Sequence, residues 1–255
     1  MKIKNLYPQK YKRFFAFGCS FTKYKWTTWA DIIGQNIPYY ENWAQAGCGN
    51  HFIFNSIIEA DTRHDFNQDD LVMVMWSTLD REDRYRYDHW YGNTIGTQEE
   101  AYGQEWVRRF STDYRAQSIR DYAFIKSAQV YLESKGCDWA NLSMRPLINI
   151  RDFNIFDLNR WKEPTRIWTD LRTKGIIDKR IHDRDVVETY ADIFKNIEQC
   201  YEEFLSDEEK QSILETGDLH PSPEFALRYV MDTFPDNAIA EKDLSFVASD
   251  IKNRL

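Results

Sequence analysis

The sequence predicts an α/β fold in which a mostly parallel sheet is wrapped by helices. Short strand-like runs alternate with helical patterns along the first 143 residues, which is the order that parallel pairing requires. The continuous apolar run at residues 71–76 is typical of a strand that is covered on both faces. Since 255 residues can bury one large core, we expect a single domain over residues 1–255.

The first three elements lie within the first 43 residues. Residues 13–18 are short, aromatic-rich and bounded by turn residues, which favours a strand. Residues 26–35 carry apolar side chains close to helical spacing, and Gly34 with Pro38 marks the end of that helix. Residues 39–43 follow as a second predicted strand.

The next elements continue the alternation. A loop of small residues at 44–50 precedes a helical pattern at 52–60, whose isoleucines share one side. The apolar run at 71–76 is the predicted central strand, 116–134 is a predicted helix, and 137–143 is a predicted fourth strand.

Three later segments complete this organisation. Residues 80–115 and 145–183 fit the alternation poorly and are rich in Trp, Tyr, Arg and Asp, so we interpret them as insertions forming a cap or rim; ordinary peripheral helices are the alternative. Residues 185–205 predict one long amphipathic helix. Ser222 followed by Pro223 predicts the start of another.

Composition narrows the class of protein. The net charge of −8 argues weakly against a polyanionic partner such as nucleic acid. No apolar run approaches a membrane span and no secretory signal is visible, so we expect a cytoplasmic protein. The four cysteines form no Cys-x-x-Cys pair, which favours reduced, buried thiols; we expect neither a metal nor a cofactor.

A serine at the end of the first strand is the candidate nucleophile. Ser20 follows Gly18 on a tight turn, at the carboxyl edge of the sheet where ligands of α/β proteins bind. Asp218 and His220 lie on a loop just before the last predicted helix, from which the imidazole could accept the serine proton. The alternative is a histidine that only caps or packs.

Three blocks in this order carry a family resemblance. Residues 18–20 (Gly-Cys-Ser) resemble a Gly-Asp-Ser block, residues 42–47 resemble an Asn-x-x-x-x-Gly block, and Asp218, His220 and Pro221 resemble a closing Asp-His block. The chain therefore resembles the SGNH (GDSL-type) hydrolases over most of its length, apart from the two predicted insertions.

The resemblance implies a three-layer α/β/α sandwich with a flavodoxin-like central sheet and an acyl-serine mechanism. Ser20 would attack, His220 would act as base and then acid, and Asp218 would orient the imidazole. The backbone N–H groups of Ser20 and Gly47 would form an oxyanion hole. The implied activity is a serine esterase acting on a small-molecule or carbohydrate ester, such as an O-acetyl group on a sugar.

The chain departs from the family pattern at three points. Cys19 replaces the aspartate of the first block, and Asp218 precedes the histidine by two residues where the family commonly has three. The third block, with its oxyanion-binding asparagine, is missing. Ser77, Thr78 or Asn50 could donate instead; turn-forming hydroxyls and a helix-capping asparagine are the alternatives.

The sequence also allows other nucleophiles, another binding surface and other functions. Thr22 occupies the place of the second glycine of an α/β-hydrolase elbow, and a Cys19 nucleophile would have its side chain in the core. A cluster of arginines and aromatic residues at 81–91 could bind sugars or acidic groups, although a solvated, ion-paired face is the ordinary explanation. An acyltransferase on the same triad and a non-catalytic binding or structural module are the alternative functions.

Overall fold

The computed structural model of the chain describes most of its N-terminal half and parts of the remainder. The described residues are 3, 5–94, 114–145, 147, 197–200, 205–216, 218, 220–235 and 239.

A parallel sheet is the centre of the fold. Its strands are β1 (Arg13–Phe17), β2 (Tyr39–Asn42), β3 (Asp70–Trp76), β6 (Asp138–Ser143) and β7 (Ile197–Cys200), and β4 (Arg81–Arg86) with β5 (His89–Thr94) forms a separate antiparallel hairpin. The order in the sheet is β2-β1-β3-β6-β7, so the strand order reverses between β1 and β3. The neighbouring strands of this sheet pair in parallel, which brings their carboxyl ends to one edge.

Within the described residues, five α-helices accompany these strands. They are α1 (Trp29–Gly34), α2 (Asn50–His64), α3 (Tyr114–Lys135), α4 (Asp207–Thr216) and α5 (Pro223–Thr233).

The central strand β3 divides the hydrophobic core into two clusters. All seven of its residues are buried, and successive side chains point to opposite faces of the sheet. Leu71, Met73 and Met75 pack in the cluster that contains α1 and α5. Val72 and Trp76 pack in the cluster that contains α2 and α3. Helices therefore cover both faces of β3.

The structure confirms the predicted α/β class and its parallel sheet. The seven predicted alternating elements are present with shifted bounds, as β1, α1, β2, α2, β3, α3 and β6. The largest shift is at α1, which begins at Trp29 and not at residue 26. Thr28 and Asp31 form a capping box there, in which the Thr28 N–H donates to the Asp31 carboxylate at 3.0 Å. The predicted start of α5 is also confirmed, since the Ser222 hydroxyl accepts the Phe225 N–H.

The prediction of one long helix over residues 185–205 is wrong for the residues of this range that the structure describes. Ile197–Cys200 forms strand β7, which pairs with β6 at Asn141 and Ser143. The exposed backbone groups of β6 offer hydrogen bonds that outweigh the helical spacing of the side chains, as tertiary context commonly does. Residues 185–196 and 201–204 lie outside the described residues.

The two predicted insertions are described only in part. The first, residues 80–115, contains the hairpin β4–β5, which lies outside the main sheet. Residues 95–113 and nearly all of the second predicted insertion lie outside the described residues. In the part of the chain that the structure describes, none of the helices has the length and apolar character needed to cross a membrane.

A buried ion pair joins the amino ends of the two central strands. The Arg13 guanidinium donates to both carboxylate oxygens of Asp70, at 2.6 and 2.7 Å, and Asp70 is completely buried. Arg13 also donates to the His64 carbonyl at 2.9 Å, at the end of α2. One side chain therefore fixes β1, β3 and α2 together.

We expect Arg13→Met to lower the free energy of unfolding by about 3 kcal/mol, because it leaves the buried Asp70 carboxylate without its counter-ion. The matched control is Lys12→Met, which removes an ion pair to Asp69 that is largely exposed, and it should cost less than about 1 kcal/mol. Urea unfolding of both variants measures the difference. Equal losses would contradict the role of Arg13.

Candidate active site

Ser20 lies on a tight turn directly after β1. The Cys19 carbonyl accepts hydrogen bonds from the N–H groups of Thr22, at 2.9 Å, and Lys23, at 3.1 Å. A side chain at Gly18 would collide with the Thr22 hydroxyl and approach the Met75 carbonyl to 3.1 Å, so only glycine fits there. Ser20 itself is 6% exposed.

The Cys19 side chain lies on the other side of this turn. It is fully buried in the core, and its Sγ lies 3.4 Å from Met144 Sδ. This is the packing expected of a free thiol. Cys19 is thus separated from the surface that Ser20 approaches.

Asp218 and His220 form a hydrogen-bonded pair despite their short spacing. The Asp218 Oδ1 atom lies 2.8 Å from His220 Nδ1 and also accepts the backbone N–H of His220 at 3.1 Å. A carboxylate on Nδ1 fixes the tautomer in which Nε2 is the free acceptor. The two-residue spacing therefore allows the carboxylate to reach the ring.

The turn after β1 holds this pair in position. The His220 ring stacks on Tyr24, with 3.7 Å between centroids and 15° between planes, and lies 5.4 Å from the Phe21 ring. Tyr24 OH and Lys25 Nζ donate to Asp218 at 2.9 and 3.0 Å. These contacts place the Asp-His pair beside the turn that carries the candidate serine. Tyr24 and Lys25 were not identified from the sequence, since nothing in its local pattern distinguishes them.

Electrostatics favour an ionised aspartate and a neutral histidine. Burial would raise the pKa of the Asp218 carboxyl, but the hydrogen bonds that it accepts hold this pKa well below its ordinary value. Burial lowers the pKa of the His220 imidazole, and the neighbouring carboxylate only partly offsets that effect. A neutral imidazole oriented by a carboxylate is the form that a general base requires.

The structure packs His220 against the turn that carries Ser20 but shows no hydrogen bond between the two side chains. Among the described residues, no hydrogen bond links the Ser20 hydroxyl to the His220 ring. Catalytic hydrogen bonds often shorten only when substrate is bound. The pair is therefore adjacent to the serine turn, with the serine–base contact not formed.

The loop between β2 and α2 lies against the serine turn. The Gln45 N–H donates to the Gly18 carbonyl at 3.3 Å. Gly47 has a φ of +81°, and a Cβ there would lie 2.8 Å from the Gly92 carbonyl oxygen of the hairpin. Glycine is required at position 47 by both its backbone conformation and its contact with β5.

Asp83 of the hairpin caps the helix that follows this loop. Its carboxylate accepts the N–H groups of Gly49, at 2.6 Å, and Phe52, at 2.9 Å, at the amino end of α2. Burial raises the pKa of this carboxyl. The hairpin is thereby fixed onto the loop that contains Gly47.

Asn50 is not available as an oxyanion donor. Its side-chain NH₂ donates to the Ser77 carbonyl at 3.2 Å and to Asp121 at 2.9 Å, and its oxygen accepts the Ser77 N–H at 2.8 Å. Burial raises the pKa of Asp121 to about 7, with Arg120 beside it opposing the effect. The completely buried Asn50 therefore joins α2, α3 and the end of β3, and its amide is engaged in these contacts.

The two hydroxyl candidates after β3 differ in their surroundings. Ser77 is fully buried, and its Oγ has no hydrogen-bond partner in the described ranges. Thr78 is half-buried on the adjoining segment. Neither contacts Ser20 or His220 through a hydrogen bond among the described residues.

An open cleft runs along the loop after β2. It has a volume of about 350 Å³ and is lined by Lys23, Glu41, Asn42, Trp43, Ala44, Gln45 and Phe52.

No metal site is present within the described ranges, where no group of three or more His, Cys, Asp or Glu side chains could hold a metal ion. His51, the histidine at the start of α2, stacks on Phe124 with 5.0 Å between ring centroids, as a packed helix-start residue would.

Comparisons of the chain with protein-family models, with curated proteins and with solved structures found no significant match.

We expect Asp83→Asn to lower the free energy of unfolding by about 2 kcal/mol, because an amide cannot accept from both buried N–H groups without placing its own NH₂ against one of them. Asp88→Asn is the matched control. Asp88 is exposed at the hairpin turn with a φ of +63°, a conformation that asparagine tolerates. Thermal or urea unfolding distinguishes the two, and equal stability of both variants would contradict the capping role.

Proposed function

We propose that this chain is a serine esterase of the SGNH (GDSL) type that cleaves a small acyl ester, such as an O-acetyl group on a carbohydrate. One observation carries the proposal: the hydrogen-bonded Asp218–His220 pair packs on the turn that presents Ser20 at the carboxyl edge of the sheet. Serine, a neutral imidazole and a carboxylate that orients it are the components of acyl-serine catalysis.

The proposed fold is the three-layer α/β/α sandwich with a flavodoxin-like sheet. Two observations support it. The strand order β2-β1-β3-β6-β7 becomes 2-1-3-4-5 when the hairpin is left out of the count, which is the flavodoxin-like order. The two hydrophobic clusters lie on opposite faces of β3.

In the proposed reaction, Ser20 Oγ attacks the acyl carbonyl carbon while His220 Nε2 accepts the serine proton. The tetrahedral intermediate collapses to an acyl-serine, and the protonated His220 gives its proton to the departing alkoxide. Water then attacks the acyl-serine, again with His220 as the base, and releases the carboxylic acid. Asp218 keeps the ring oriented and stabilises the imidazolium through Nδ1.

The oxyanion in this proposal is bound by backbone N–H groups. The candidates are those of Ser20 and Gly47, which lie on adjoining loops at the same edge of the sheet. The contact between Gln45 and Gly18 holds these loops together. Since the Asn50 amide is engaged elsewhere, Asn50 does not replace the missing third-block donor.

A second candidate is favoured by one observation. The Ser20 hydroxyl makes no hydrogen bond to His220 among the described residues, which suits a non-catalytic binding module of the same fold. Covalent labelling of Ser20 separates this candidate from the esterase.

We expect a fluorophosphonate probe to label the protein at Ser20, because an activated serine displaces fluoride from phosphorus and remains attached to it. Ser20→Ala should abolish labelling. Ser134→Ala, which changes an exposed serine on α3, should label like the unmodified protein. Mass spectrometry of the labelled peptide identifies the site. Failure of the unmodified protein to label would contradict the esterase, and persistent labelling of Ser20→Ala would identify another serine.

The rate of that labelling should depend on pH through His220. Because burial lowers its pKa, the neutral base persists to lower pH, and the rate should reach half of its plateau below about pH 6.5, the ordinary pKa of histidine. Asp218→Asn removes a charge that raises this pKa, so it should move the midpoint to lower pH. It should also reduce the plateau about 10²–10⁴-fold.

The control for this pH profile is Asp207→Asn, at an exposed position on α4, which should match the unmodified protein. A midpoint above pH 6.5, or an unchanged profile for Asp218→Asn, would contradict the assigned roles.

A further inference from the structure

Arg81 is held at the candidate site by two hydrogen bonds. It is the first residue of β4 and follows the end of β3 by five residues, at the carboxyl edge of the sheet. Its Nη1 atom donates to the Cys48 carbonyl at 2.8 Å, and its own carbonyl accepts from Arg120 Nη2 at 2.8 Å. The Nη1 hydrogen bond therefore holds the guanidinium beside the loop that contains Gly47, and the second bond holds the backbone from which the side chain extends.

One edge of this guanidinium has no partner among the described residues. Within that part of the chain, Arg81 Nε is buried without a hydrogen bond, and Nη2 makes none either. A buried donor without an acceptor is energetically unfavourable, so an incoming acceptor would be bound there. The Nε–Nη2 edge presents two parallel N–H groups, which is the geometry that binds a carboxylate in a bidentate manner.

The positive charge of Arg81 also has no counter-ion among the described residues. Lys25 pairs with Asp218, and Arg120 pairs with Asp121 and Glu82. Asp80 precedes Arg81 and forms no ion pair with it; within the described part of the chain, its Oδ1 atom is buried without a partner. One unpaired positive charge matches the single negative charge of a carboxylate.

Arg81 lies close to the proposed catalytic residues. A Cβ on Gly49 would approach the Arg81 Cβ to 2.7 Å, so the side chain emerges directly against the loop of the proposed oxyanion hole. Its charge also acts on the His220 ring and contributes to the lowered pKa of that imidazole. An anion on the free edge would therefore be bound next to the site of acyl transfer.

We propose that Arg81 binds a carboxylate of the substrate through Nε and Nη2, so that the esterase acts on an ester carrying a carboxylate group. This inference rests on the proposed function for the reaction, and on the geometry of Arg81 for the anion. It gives Arg81 a role in substrate specificity.

Succinate, which carries carboxylates but no ester, tests the anion site by calorimetry without requiring hydrolysis. We expect succinate to bind the unmodified protein and to slow its fluorophosphonate labelling. Arg81→Gln should bind succinate about 10–100-fold more weakly. Arg81→Lys should also bind more weakly, because an ammonium keeps the charge but lacks the two parallel donors.

The matched control is Arg86→Gln, since Arg86 lies at the exposed end of the same strand, over the Tyr87 ring. It should bind succinate like the unmodified protein. Circular dichroism establishes that each variant is folded, and Arg81→Lys provides the comparison if Arg81→Gln is not. Equal succinate affinity in the folded Arg81 variants, or no succinate binding by the unmodified protein, would overturn the proposal.

The two proposals fail separately. Labelling of Ser20 without succinate binding would keep the esterase and remove the role of Arg81. Succinate binding that depends on Arg81 without labelling of Ser20 would keep the anion site and remove the esterase.

Discussion

The complete burial of β3 is the constraint on which the rest of the fold depends. A strand with seven buried residues must have neighbours on both edges and helices over both faces, because its backbone and its side chains all require partners away from water. Pairing with β1 and β6 in parallel then fixes where the chain leaves each strand. The serine turn after β1 and the segment leading to Arg81 after β3 are brought to one edge for this reason.

The hairpin β4–β5 holds the loop between β2 and α2 in place at that edge. Asp83 binds the amino end of α2, and Gly92 lies against Cys48 so closely that no side chain would fit at position 92. The same docking packs Gly47 against β5. The loop proposed to bind the oxyanion is therefore held by a segment outside the main sheet, and Arg81 enters the site from the strand that supplies Asp83.

The sequence predicted the elements whose signals are local. The apolar run of β3 and the Ser222 cap of α5 needed no knowledge of the remainder of the chain, and both were correct. The strand β7 was missed because it forms by pairing with the open edge of β6. The sequence of residues 197–200 contains no information about that edge. Of the candidate site, the sequence located Asp218 and His220. It could not show that the Asn50 amide is used by Asp121, which is 71 residues away.

The contact between Tyr24 and Asp218 spans 194 residues of chain. Closing so long a loop costs entropy before any contact is made, so such contacts form late in folding. During synthesis from the amino end, Ser20 emerges long before its histidine does. The proposed nucleophile would thus lack its base until the C-terminal segment has been made and has docked on Tyr24 and Lys25, and chemistry would become possible only after most of the chain had been translated.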